Sequence, residues 1–83
     1  MTKEQKEVIQ KAVELVMPEA IELKKMAEAD KTTKDGYGVI LSSFIHFNNK
    51  TGSNRTSRLL TIALLQLGYP KDTIATIWRT IWI

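Results

Sequence analysis

A chain of 83 residues without cysteine has no disulfide framework, no zinc–thiolate centre and no thiol nucleophile. Its length is that of one domain, residues 1–83, which buries only roughly 60% of its unfolded surface and so has a small core. The net charge of +3 is too modest to define a class, but its distribution is uneven.

Residues 1–35 carry seven lysines against eight carboxylates, whereas residues 36–83 carry Lys50, Arg55, Arg58, Lys71 and Arg79 against Asp72 alone. Such asymmetry suits a face that meets a negatively charged partner. The competing explanation is that the second half lacks acids because most of it is apolar and buried. No apolar run approaches the ~20 residues of a bilayer span. The charged start at residues 1–7 is not followed by the apolar stretch of a secretory signal. These features predict a soluble, cytoplasmic protein with no membrane partner. Asn49-Lys50-Thr51 and Asn54-Arg55-Thr56 then match the glycosylation pattern by chance.

The first element is a long helix. Thr2 and Gln5 form a Thr-x-x-Gln capping box. Ile9, Val13, Val16, Ala20, Leu23 and Ala27 recur at alternating spacings of four and three, which makes one apolar seam. Pro18 removes a helix hydrogen bond and crowds the preceding turn. The seam keeps its phase through the proline, so the expectation is one helix kinked near Pro18. A polar connector without periodicity follows at residues 30–36.

Residues 37–47 fit two patterns. As a helix, Tyr37, Ile40, Leu41, Phe44 and Ile45 share a face; as a strand, the β-branched and aromatic content is favourable. With no second convincing strand to satisfy its backbone groups, helix is the reading. Asn48-Asn49-Lys50-Thr51-Gly52 reads as a turn cluster. Ser53 is a good N-cap for a third helix running to about Leu67. That helix is apolar around most of its circumference, which predicts a place at the centre of a bundle or at an oligomer interface. Gly68 suits a left-handed helix end, and Pro70 follows it. A last helix from about Lys71 carries Ile74, Ile77, Trp78, Ile81 and Trp82 on one side. The expected fold is all-α, a small bundle of about four helices.

One segment concentrates polar chemistry. Residues 50–58 hold three cations and four hydroxyls at an expected helix start, inside a stretch from Gly36 to Lys71 that has no carboxylate. The first turn of a helix presents N–H groups without intrahelical acceptors, and the helix dipole adds positive potential. A phosphate is stabilised there. Lys50, Ser53, Asn54, Arg55, Thr56, Ser57 and Arg58 are the candidate ligand-binding residues, with Lys71 and Arg79 as secondary cations. Arginine can offer a planar two-pronged donor set. The Walker A spacing is missing, so ATP hydrolysis is not implied. The plainer alternative is a capped helix with solvated arginines.

Other constellations are weaker. The last two helices flank a glycine turn as in a helix–turn–helix. The second helix, however, would offer DNA only Thr73, Thr76, Arg79 and Thr80 beside tryptophans, a poor reading surface. Trp78 and Trp82 in an apolar terminus are interface residue types, and a chain this short gains from association; one tryptophan is expected in the core and the other at a homo-oligomer contact. His46 is the sole histidine, and no nucleophile–base pattern accompanies it. Glu19, Glu22 and Asp30 read as solvated helix charges, not metal ligands. The expectation is therefore a non-enzymatic protein without cofactor or metal that holds a nucleic acid or nucleotide. The alternative is a small inhibitor or adaptor, such as a phage or mobile element might encode, whose basic face meets an acidic protein partner.

Overall fold

The computed structural model describes residues 1–52 and 54–82. Ser53, expected as an N-cap, and the side chain of Trp82, expected at an interface, lie outside the described residues. The described residues form four α-helices and one 3₁₀ turn: α1 (Lys3–Ala29), the turn (Lys34–Gly36), α2 (Tyr37–Thr51), α3 (Arg55–Gln66) and α4 (Lys71–Trp82). The all-α expectation holds. Residues 37–47 are helical and not extended.

Helix α1 starts at the expected capping box. Thr2 N–H donates to Gln5 Oε1 at 2.9 Å, and Gln5 N–H donates to Thr2 Oγ1 at 3.1 Å. The helix continues through Pro18 to Ala29 as one element of 27 residues. Such a helix is about 40 Å long, which accounts for the 41 Å long axis of a molecule only 25 by 21 Å across. The seam is the buried face: Val13, Ala20, Leu23 and Ala27 are enclosed, and Ile9 and Val16 pack at its edge. This face lies mainly along α3, while α2 touches α1, α3 and α4.

The connector is more ordered than its polar composition implies. Asp30 closes α1, and its carboxylate accepts from the Thr32 N–H, the Thr32 hydroxyl and the Thr33 hydroxyl. These bonds from Thr32 and then Thr33 hold the Asp30 carboxyl below its ordinary range. Thr33 Oγ1 in turn accepts the Gly38 N–H at 2.9 Å, supplying a cap for the first turn of α2. Gly36, with φ of 67°, sits directly on α1. A Cβ there would fall 2.3 Å from the Ala27 Cα and 2.4 Å from its carbonyl oxygen, so only glycine fits.

The turn cluster expected at residues 48–52 is a correction: residues 48–51 continue α2, and only its C-cap, Gly52, turns, with φ of 66° and an N–H bond to the Asn48 carbonyl. Tertiary contact overrides local preference here, because Asn48 bonds to α3 across the interface. Helix α3 buries Ser57, Leu60, Ala63 and Leu64. It is not enclosed all round, since Leu65 is exposed. Its end is a Schellman motif: Gly68 N–H bonds to Leu65 O and Tyr69 N–H to Leu64 O, with Gly68 at φ of 88°. Helix α4 then buries Ile74 and Ile77 against the core, which is centred on Ile40, Phe44, Leu60 and Leu64.

Candidate anion site at the entry of α3

Helix α3 begins at Arg55, with Asn54 at the cap position. The Asn54 side chain makes no capping hydrogen bond. The Asn54 carbonyl accepts the first intrahelical bond, from the Arg58 N–H at 2.9 Å. The N–H groups of Arg55, Thr56 and Ser57 therefore precede the helix's own hydrogen-bond ladder. Arg55 and Arg58 are three residues apart and both exposed, so their guanidinium groups share one side of the first turn. Thr56 is half-buried between them in sequence.

Two expected members are placed differently. Lys50 is not at a helix start; it is exposed in the last turn of α2, where a cation is favoured by the dipole of that helix. It precedes the Gly52 turn, so its charge still stands on the approach to Arg55. Ser57 is fully buried. Its hydroxyl lies 2.8 Å from Asn48 Oδ1 and 3.3 Å from the Phe44 carbonyl, both on α2. This corrects its assignment as a ligand donor: one proton directed into the protein cannot also meet a phosphate. Ser57 instead pins the N-terminus of α3 to α2.

Asn48 was not among the expected residues, yet it fixes the site by holding Ser57. Its nine-residue separation from Ser57 carries no meaning until α2 and α3 are folded against each other. The secondary cations divide. Lys71 follows the Gly68 turn and so stands beyond the far end of α3, about 18 Å along the helix from Arg55. Arg79 is exposed on α4 next to Trp78, whose indole N–H donates to Thr61 Oγ1 at 2.9 Å. That bond brings the later turns of α4 beside the second turn of α3, nearer the basic end.

The hydroxyls of α4 are engaged at home. Thr73 donates to Asp35 Oδ2, Thr76 to the Asp72 carbonyl and Thr80 to the Thr76 carbonyl. The helix–turn–helix reading thereby loses most of its polar surface. Trp78 is half-buried, packing at 5.6 Å ring separation on Phe44, so this indole helps to close the core. His46 is exposed beside Phe47, and the described residues contain no group of three or more side chains able to hold a metal ion. Among the described residues no helix is long and apolar enough to cross a membrane.

Comparison with known proteins finds no matching family model, no similar curated protein and no similar solved structure.

Proposed function

We propose that this is a non-enzymatic binding protein that holds a phosphate-bearing ligand, nucleic acid or nucleotide, at the N-terminus of α3. One observation carries the reading. Arg55 and Arg58 stand exposed on the same side of a first helical turn, with Lys50 on the approach, in a stretch free of carboxylates from Gly36 to Lys71. Oriented N–H groups and two guanidinium groups there present positive charge to an anion from one direction. Backbone geometry and charge together favour phosphate oxygens over bases, so affinity should depend little on sequence.

The test is fluorescence anisotropy with a labelled single-stranded oligonucleotide and with a labelled nucleotide, over a range of salt. Parent protein should bind with an affinity that falls steeply as salt rises. The Arg55→Glu/Arg58→Glu variant should lose at least about tenfold in affinity and flatten the salt slope by roughly two phosphate contacts. Equal binding by the two proteins would sink the reading.

A further inference from the structure

Asp35-Gly36 is the only Asp-Gly pair in the chain. Glycine has no Cβ to shield its nitrogen, so an aspartate before it is open to attack by the main chain. In that reaction the Gly36 nitrogen bonds to the Asp35 Cγ, taken as its carboxylic acid. The proton on nitrogen and the hydroxyl of the acid leave together as water, and a five-membered succinimide closes. Water then adds to one of the two ring carbonyls. Opening at the side-chain carbonyl restores aspartate. Opening at the main-chain carbonyl leaves isoaspartate, in which the chain runs through Cβ and Cγ. Water is the only co-reactant.

The fold holds the pair out of reach of this chemistry. Asp35 has φ of 56° and ψ of 22°. That ψ puts the Gly36 nitrogen on the far side of the Cα–C bond from the Asp35 Cβ, so ring closure requires a large rotation about that bond. Four contacts oppose the rotation. The Asp35 carbonyl accepts from the Tyr69 hydroxyl at 2.6 Å, and its Oδ2 accepts from the Thr73 hydroxyl at 2.8 Å. The Gly36 N–H donates to the Thr33 carbonyl at 3.3 Å. Gly36 is itself buried on the Ala27 backbone. Asp35 is exposed, so water is at hand. What is missing is freedom of the main chain, and that comes only when this end of the molecule opens locally.

We propose that Asp35-Gly36 is a self-modification site, kept closed by Tyr69 and Thr73 and converted to isoaspartate when they release it. The product does not fit back. It adds one carbon to the main chain beside a glycine where even a Cβ would fall 2.3 Å from the Ala27 Cα. It also turns the carbonyl that Tyr69 held into a free carboxylate. Isoaspartate therefore records opening between the connector and the start of α4.

The test is incubation of the full chain in neutral buffer, with and without denaturing urea, at one temperature. Isoaspartate is read by chromatographic separation of the isomeric peptides that span residues 35–36, with uptake of heavy oxygen from labelled water marking passage through the succinimide. The folded parent should convert at least about tenfold more slowly than the same chain in urea. Thr73→Val and Tyr69→Phe should each speed conversion of the folded protein by about threefold to tenfold, and neither should change the rate in urea. Ser57→Ala, which loosens the other end of α2, should stay within about twofold of the parent. A folded parent that converts as fast as the unfolded chain overturns the proposal. So do Thr73→Val and Tyr69→Phe variants no faster than the parent, or a Ser57→Ala variant that speeds conversion as much as they do.

Discussion

Helix α2 is entered and left through glycines in nearly the same backbone state, and the two ends do opposite things. Gly36 has φ of 67° and ψ of 26°; Gly52 has φ of 66° and ψ of 14°. At Gly36 the chain lies on the backbone of Ala27, and the polar groups of Asp35 beside it are bonded to other parts of the chain. Asp35 adopts a left-handed φ of 56°, its carbonyl accepts from the Tyr69 hydroxyl at 2.6 Å and its carboxylate accepts from the Thr73 hydroxyl. The entry thereby ties α1, α2 and α4 together. A Cβ added at Gly52 would meet none of the described residues beyond its chain neighbours within 4 Å, and the cations on either side, Lys50 and Arg55, are exposed. A left-handed glycine thus says where the chain turns and nothing about what the turn is for. The surroundings decide between a clamp and a surface.

The sharpest way to break this contrast is alanine at each glycine. Both substitutions carry the left-handed penalty, about 1 kcal/mol. Gly52→Ala should cost little else, because its Cβ meets open space. Gly36→Ala also forces the Ala27 backbone away and should lose on the order of 4 kcal/mol or more. That approaches the whole stability of so short a chain. Urea midpoints followed by circular dichroism decide it. If the two variants unfold within about 1 kcal/mol of each other, the clamp at the entry is not a steric one.

Tyr69 sharpens the same region through pH. Burial, and then the nearby Asp35 carboxylate, push its phenol up to about 12 from an ordinary 10.0. The unfolded chain therefore releases this proton first. The contribution is fully present below pH 10 and is lost as pH rises toward about 12. Tyr69→Phe should remove the bond to the Asp35 carbonyl, costing about 1–2 kcal/mol at neutral pH. It should also flatten the stability decline across that alkaline window relative to the parent. Parallel pH profiles for the two proteins would show that the phenol stays neutral for no structural reason.

The unequal legibility of the sequence follows from the same contrast. Local signals with a fixed geometry read well: the Thr2–Gln5 capping box, the four-and-three seam of α1 and the Gly68 stop of α3 each rest on residues within one turn of one another. Gly36 and Asp35 do not read at all, because what constrains them is contact with Ala27, Tyr69 and Thr73, far along the chain. The basic segment reads in part. Exposure of Arg55 and Arg58 follows from charge alone, since arginine is almost never fully buried. The inward turn of Ser57 does not, because serine is equally at home at a helix cap, on a surface or bonded within a core. Asn48 extends α2 for the same tertiary reason, and local turn preference could not anticipate it.

Ser57 and the two arginines lie within four residues, and they provide the smallest but most discriminating comparison. Ser57→Ala leaves Asn48 Oδ1 without its donor at a half-buried position and should cost about 1 kcal/mol of stability. It removes no group that faces solvent, so oligonucleotide affinity, measured well below the unfolding midpoint, should stay within about twofold of the parent. Arg55→Glu/Arg58→Glu should do the reverse. Surface substitutions of this kind shift stability by about 0.5 kcal/mol or less, here slightly favourably because carboxylates replace cations at the positive end of the α3 dipole. Affinity should collapse while the urea midpoint barely moves. The pair separates a helix entry that is merely held in place from one that is presented to a ligand. If Ser57→Ala weakens binding as much as the arginine variant does, the hydroxyl is reaching the ligand after all and its bond to α2 is not what holds the end of α3.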